Sequence, residues 1–576
     1  MSQILRTEYP RPQFCREQWM TLNGEWDFSF DTEEYKRKIC VPFVYESKLS
    51  GIGEKEFHQT VWYRRSFEIP GEWEGKQILL HFGAVDYECR VLVNGQLAVA
   101  HTGGQTSFSA DITELLKNGE NELRVCVNDY HRDLDIPRGK QFWKEQSESI
   151  FYTPSTGIWQ SVWLEPVAQK HMKQVYITPL FDEKAVKFEY ELSDNENCML
   201  ETVISYEGKM VSKTAVYPKN KKGDFTINID EAVLKCWNIT EDLAWTPENP
   251  RLFDVAFCLT EDGAVRDKVD SYFGMRKISI EDGIFLLNNR PYYQRLLLDQ
   301  GYWPEGLLTA PSDEAFVTDI QLAKKMGFNG VRKHQKVEDP RYLYHADRLG
   351  FLVWGEIGAG YAYSRRLATV TMQEWQDAVL RDYNHPCIAV WTPLNESWGV
   401  LEITQSEKQQ NFCKALYAMT KALDDTRPIS DNDGWEHVES DLLTIHDYES
   451  RREVLAQRYA VKENIIKERP AGRALCLNEE DGLEKPVIIS EFGGISFQKD
   501  ETAGWGYSNA VSEEDFLQRY YDVVSPLLKC KNIQGFCYTQ LTDVEQEING
   551  LVTYDRKPKA DLEKIRKITR GELEME

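Results

Sequence analysis

The chain has 576 residues, 41% of them hydrophobic, so it carries enough apolar matter for packed cores and is too long for one. At roughly 100 to 200 residues per domain it suits three or four units. Lys plus Arg number 68 against 93 Asp plus Glu, a formal charge of -25, and such a field repels nucleic acid and anionic membranes while suiting a neutral small-molecule substrate.

The N-terminus, MSQILRTEYPRPQF, has no basic region followed by an apolar run, and no stretch approaches the roughly 20 apolar residues of a membrane span. The 12 cysteines lie without a CxxC pair or a metal-ligand spacing with histidine, mostly inside apolar runs such as Val125-Cys126-Val127. A cytoplasmic protein is expected.

From residue 20 to about 170 the pattern is short and alternating, as in EWDFSF, ILLHF, CRVLVNG and ELRVCVND, which predicts an antiparallel β-sandwich over residues 1–170. Asn94-Gly95 tolerates positive φ and predicts a hairpin turn. Alternation resumes over 171–280 (KQVYITPLF, VKFEYELS, FDVAFCLT), a length suited to an immunoglobulin-like sandwich.

The period then changes. Ser312 reads as an N-cap, Phe316, Ile320 and Ala323 recur at helical spacing, Gly327 stops the helix and a strand begins near Val331. Eight short apolar strand candidates follow between residues 296 and 538: Leu296–Leu298, Gly330–Arg332, Phe351–Trp354, Ile388–Trp391, Pro428–Ser430, Leu442–Ile445, Val487–Ile489 and Gln534–Tyr538. Separated by helical stretches, they predict a (β/α)8 barrel over 281–576, with function at the C-terminal strand ends.

Two of those ends present a carboxylate. Ile388-Ala389-Val390-Trp391 leads to Asn395 and Glu396, and Val487-Ile488-Ile489 leads to Glu491 and a Gly pair. Two glutamates on separate strands can face each other across a barrel mouth, where glycoside cleavage needs one protonated carboxyl and one ionised carboxylate. A lone glutamate at a strand end is more often a cap or an ion-pair partner.

The motifs NHPCIAVWTPLNESWG (384–399) and PVIISEFGG (486–494) resemble the acid/base and nucleophile signatures of glycoside hydrolase family 2. LNGEWDFSFD, PSTGIWQSVWLE, WTPENPRLFDV and SYFGMRKI are similar to the same family's sugar-binding sandwich, connector and barrel entry, in the family's order. The resemblance implies an N-terminal jelly-roll-like sugar-binding sandwich, an immunoglobulin-like sandwich and a C-terminal TIM barrel. It implies a retaining exo-glycoside hydrolase with Glu396 as acid/base, Glu491 as nucleophile and Asn395 on the substrate's 2-hydroxyl. Arg332 and Tyr448 match the family's arginine and tyrosine beside the nucleophile; His334, Glu356, His446, Trp505 and Tyr538 are further candidates for the sugar pocket. The family is commonly oligomeric, and nothing in the sequence specifies a homo-oligomer interface.

Three departures bear on the substrate. RKHQKVEDP replaces the family's Arg-x-Ser-His-Tyr-Pro run, Tyr538 replaces an expected tryptophan, and Glu547 and Asn549 stand where glucuronidases place an Asn-x-Lys. A uronate would meet a negative charge there, so a neutral sugar of an oligosaccharide or small glycoside is expected, β-galactoside first. Alternatives are an α-L-arabinosidase, β-mannosidase or β-glucosidase, with a β-glucuronidase ranked behind them, a transglycosylase, or a non-catalytic carbohydrate-binding protein. No metal or other cofactor is expected, since two carboxylates suffice for hydrolysis. The loop Asn128 to Trp143 carries Arg138, Lys140 and Trp143, which either shape a subsite or lie on the surface.

Overall fold

The computed structural model describes residues 6–229, 234, 242–499 and 504–575. The first alternating region folds into two antiparallel sheets. A six-stranded sheet runs Arg37–Val41, Gly24–Phe30, Thr60–Glu68, Glu120–Asn128, Glu88–Val93, Gln96–Thr102. Facing it is a four-stranded sheet built around Gln77–Phe82 and Val162–Val167, and Trp26, Phe28, Tyr63, Phe82 and Val125 fill the space between. The Asn94-Gly95 turn has φ of 50° and 80°, the mirror-image geometry that matches strand twist.

The second region is a sandwich with seven strands among the described residues, three against four, closed over Phe188, Phe253 and Phe257. Its inward positions alternate with exposed ones, as in Phe253–Glu261, so one face of each strand makes the core.

The third region is a parallel barrel. Its strands are β1 (Gln294–Asp299), β2 (Gly330–Lys333), β3 (Leu352–Glu356), β4 (Ile388–Thr392), β5 (Leu443–Asp447), β6 (Val487–Gly493) and β7 (Ile533–Thr539), paired in the order β4-β3-β2-β1-β7-β6-β5. Helices between them cover the outside. The helix Asp313–Lys325 follows β1 from Ser312 and buries Phe316, Ile320 and Ala323, as its spacing requires, although the Ser312 hydroxyl makes no capping bond.

The expected strand at Pro428–Ser430 is reduced to a single bridge. The Trp391 N–H donates to the Pro428 carbonyl, the Ser430 N–H to the Trp391 carbonyl and the Asp441 N–H to the Ile429 carbonyl, so three residues close the gap between β4 and β5. Pro428 cannot donate to a ladder, which keeps the pairing short.

Register irregularities fall at Ile445/His446 and across Ile489/Phe492. Such bulges re-aim side chains, and these two lie where β5 and β6 present His446 and Glu491. Gly493 then turns at φ 84°, with Tyr538 so close that an added Cβ would stand 2.3 Å from its ring. Gly493→Ala therefore combines left-handed strain with overpacking and should destabilise the barrel by about 2 to 4 kcal/mol. Urea unfolding followed by tryptophan fluorescence checks this; an unshifted transition would contradict it.

Candidate active site

Glu396 and Ser397 both hold positive φ, 53° and 57°, which non-glycine residues adopt at a cost of about 1 kcal/mol or more each. Specific bonds impose the turn. The Glu396 N–H donates to the Asp433 carbonyl at 2.9 Å, the Ser397 N–H to Asn432 Oδ1 at 2.9 Å, and the Ser397 hydroxyl to Glu436 Oε2 at 2.6 Å. The tight turn swings the Glu396 carboxylate back over the barrel axis, toward Glu491 on β6.

Arg332, fully buried at the end of β2, organises the floor. Its Nε donates to Glu356 Oε2 at 2.7 Å, its Nη2 to Asn395 Oδ1 at 2.6 Å and to His334 Nδ1 at 2.8 Å, and its Nη1 pairs with Asp433. Nη1 also stands 3.0 Å from Glu491 Oε1, off the line of a hydrogen bond. That oxygen accepts no hydrogen bond among the described residues, while Oε2 accepts one from the Tyr448 hydroxyl at 2.6 Å. One oxygen of Glu491 is thus anchored and the other has free lone pairs. With its carbonyl oxygen taken by Arg332, Asn395 keeps a buried Nδ2 donor without a hydrogen-bond partner among the described residues.

His446 lies between the two sides. Nδ1 is 2.7 Å from Glu396 Oε1 and Nε2 is 2.7 Å from Asp433 Oδ2. Burial alone would lower its pKa, but Glu491, Asp433 and the hydrogen bond to Glu396 hold it up at about 10. Burial alone would raise the Glu396 pKa, but His446, Lys140 and His334 bring it below the ordinary carboxylate value. Asp433 is also depressed against burial, by Arg332 first and His446 next. One carboxylate oxygen each of Glu396 and Glu491 and a ring nitrogen of His446 lie within 4.8 Å of one another.

Aromatic rings line the mouth. Tyr507, 45% exposed, stacks on Tyr448 at 3.5 Å, Trp505 meets Tyr507 edge-on at 5.5 Å, and Trp398 Nε1 donates to Glu396 Oε2 at 3.2 Å. Such faces suit a sugar ring.

The first sandwich reaches this mouth. The N–H groups of Arg138 and Gly139 donate to the Ala359 carbonyl at 3.1 Å, and Tyr361 donates to the Gly139 carbonyl at 2.6 Å. From the same region the Tyr152 hydroxyl donates to Glu547 Oε2 at 2.6 Å, and Asn549 Nδ2 donates to the other Glu547 oxygen at 3.0 Å. Lys140, 7% exposed, bears on Glu396 electrostatically and has no ion-pair partner within 4 Å among the described residues.

The residues named from sequence do not all face one space. Glu396, Glu491, Asn395, Arg332, His446 and Tyr448 converge. Glu356 is fully buried beneath them, paired with Arg332 and with His334 at 3.0 Å, so it supports the floor. Trp505 is half-buried at the rim, its Nε1 donating to the Ser149 carbonyl. Tyr538 packs in the core against Tyr520, and its neighbour Thr539 takes the inward place, its hydroxyl 3.2 Å from the Tyr448 oxygen. Asp433, Tyr507 and Trp398 went unnamed. Asp433 lies three residues past the Pro428–Ser430 segment, so the strand-end rule applied there would have found it.

Sequence profiles agree with this architecture. Residues 29–164 match the sugar binding domain of glycosyl hydrolases family 2, 170–276 match the profile described as Glycosyl hydrolases family 2, and 278–571 match the family's TIM barrel domain. The β-galactosidase of Thermoanaerobacter pseudethanolicus is 27% identical over 540 residues, 91% of this chain and 68% of that protein. The β-glucuronidase of Felis catus is 23% identical, covering 84% of this chain and 79% of that one. The structure of a β-D-glucuronidase of Dictyoglomus thermophilum superposes with a TM-score of 0.78 at 19% identity, covering 98% of both chains.

The chain belongs to glycosyl hydrolases family 2. It is a glycosidase, hydrolysing O-glycosyl compounds. No helix among the described residues is long and apolar enough to cross a membrane.

The raised pKa of His446 carries a linkage consequence. The folded protein keeps a proton that the unfolded chain sheds near the ordinary histidine value of about 6.5, so the stabilisation is whole below that pH and is lost as pH rises to about 10. The stability difference between wild type and His446→Gln should shrink across that window. Denaturant titrations at pH 6, 8 and 10 check it; a constant difference would contradict it.

Proposed function

We propose that the chain is a retaining exo-glycosidase that releases one terminal neutral sugar, a β-galactoside first, from an oligosaccharide or small glycoside. The observation that carries the reading is that Glu396 and Glu491 each bring a carboxylate oxygen within 4.8 Å of the other. Retaining hydrolases hold their carboxyl groups about 5 to 5.5 Å apart, too close to seat a water between them. In this reading the catalytic unit is the barrel, residues 281–576.

Glu491 attacks the anomeric carbon with its unbonded Oε1, steadied through Oε2 by Tyr448. Glu396 protonates the departing oxygen and later deprotonates water. Asn395 Nδ2 meets the 2-hydroxyl, a contact that strengthens as positive charge develops on the ring. The buried, hydrogen-bonded carboxylate of Glu547 supports the neutral sugar, because it bears on Tyr507 together with Glu491 and Glu396 and a uronate would add a fourth negative group.

One observation favours a β-glucuronide as the second reading. Lys140 is a buried cation without an ion-pair partner among the described residues, and several similar proteins are β-glucuronidases.

Hydrolysis of 4-nitrophenyl β-galactoside, β-glucoside, β-mannoside, β-glucuronide and α-L-arabinopyranoside decides. Wild type should release a neutral sugar and Glu491→Gln should lose at least about 10⁴-fold of that rate. Turnover of the glucuronide alone would overturn the neutral-sugar reading. Undiminished turnover by Glu491→Gln would overturn the assignment of the nucleophile.

A further inference from the structure

The acid of this site needs a proton that Glu396 does not hold on its own. His446, Lys140 and His334 hold its carboxyl below the ordinary carboxylate value, yet a departing sugar or alkoxide oxygen must be protonated. The contacts of His446 resolve the conflict. An imidazole nitrogen and a carboxylate oxygen 2.7 Å apart cannot meet lone pair to lone pair, so a proton lies between Nδ1 and Glu396 Oε1. A second lies between Nε2 and Asp433 Oδ2, also at 2.7 Å, and Arg332 beside Asp433 keeps that carboxylate ionised. Both ring nitrogens are committed to carboxylates, so neither is free for a sugar hydroxyl.

We propose that His446 and Glu396 act as one proton-holding pair, His446 storing on Nδ1 the proton that Glu396 delivers to the departing oxygen, with Asp433 fixing the ring's tautomer. The proposal rests on the reading of Glu396 as the acid/base. His446 acts on the substrate through Glu396 and is a positioning residue.

The steps balance. Glu491 bonds to C1 as the C1–O bond breaks, leaving its electron pair on the departing oxygen. The shared proton passes from Nδ1 to Glu396 and on to that oxygen. Glu396 is left ionised and the ring neutral with its hydrogen on Nε2 toward Asp433, and the repulsion between the bare Nδ1 and Glu396 Oε1 lasts until the next proton arrives. A water then attacks C1 while the Glu491–C1 pair returns to Glu491. The proton that water loses passes to Glu396 and back to Nδ1. No other reactant is needed.

The surroundings are built for this ring. Gly434 packs on its face with φ 104°, and a Cβ there would stand 2.7 Å from both Cγ and Nδ1. The charged groups facing the ring are Glu396 after β4, Asp433 and Arg332 (Nη1 at 3.3 Å from Nε2), and Glu491 (Oε1 at 3.5 Å from Nε2); Trp435 closes the remaining side edge-on at 5.4 Å. Three carboxylates against one guanidinium favour the imidazolium, consistent with its raised pKa.

The test compares leaving groups and pH. A phenyl glycoside needs its oxygen protonated; a 2,4-dinitrophenyl glycoside needs this far less. In His446→Gln, kcat/KM for the phenyl glycoside at pH 8 should fall about 10²-fold or more, with the basic limb of its pH profile two or more units lower, while the dinitrophenyl glycoside loses much less. An unmoved basic limb, or equal losses on both glycosides, would overturn the proposal.

Glu396→Gln runs alongside as a control on the reading beneath it. If that variant shows no leaving-group dependence, the assignment of Glu396 has failed; if it does and His446→Gln does not, only the pair has failed. Neutron diffraction of wild type at pH 8 covers the case of a variant that does not fold. Deuterium between Nδ1 and Oε1 and a second on Nε2 supports the pair, and a bare Nδ1–Oε1 contact rules it out.

Discussion

The buried guanidinium of Arg332 is the constraint on which the site depends. Stripped of water, a lone arginine would be prohibitively costly, and so would each carboxylate around it; together they repay one another only in the one geometry that satisfies all the donors. Such a cluster is a poor source of net stability and a good source of position. It takes the Asn395 carbonyl oxygen and leaves the Nδ2 donor to the site, stands 3.0 Å from one Glu491 oxygen, and pairs with Asp433 beside His446. Four loops or strand ends far apart in sequence are thereby tied to one planar fork, whose five donors have fixed directions.

The rest of the molecule serves that cluster. The barrel brings strand ends together at one rim, the bulges in β5 and β6 aim His446 and Glu491 inward, and the strained turn at Glu396 returns the second carboxylate across the mouth. The first sandwich adds a wall. Its loop bonds to Ala359 and Tyr361, and its Tyr152 holds Glu547, so the rim beside the glutamates is shared by two domains although both glutamates come from one. On the proposed function the carboxylate of Glu547 favours a neutral sugar and the ammonium of Lys140 a uronate.

Much of this was legible in sequence. A strand that is apolar throughout and then ends in Asn-Glu or Glu-x-Gly-Gly announces a polar group at a barrel rim, and the period change near residue 300 announces the barrel. What sequence could not resolve was direction and partnership. Tyr538 and Thr539 sit side by side at one strand end, and only the observed pleat decides that Thr539 faces Tyr448 while Tyr538 enters the core. Asp433 was hidden because the segment before it is too short, and headed by a proline, to read as a strand. Tyr507 belongs to a loop, where no periodicity constrains it. His446 was legible as a strand-end histidine, but its bond to Glu396, 50 residues away, depends on the bulge that turns it.

The measurement that tests the account most directly is covalent trapping. A 2-deoxy-2-fluoro glycoside of the preferred sugar with a dinitrophenyl leaving group forms the glycosyl-enzyme faster than water can release it, because fluorine slows both steps and the leaving group rescues only the first. Peptide mass mapping of the inactivated protein should find one sugar on Glu491. A label on any other residue, or inactivation without a covalent sugar, would contradict the double displacement on which the account rests.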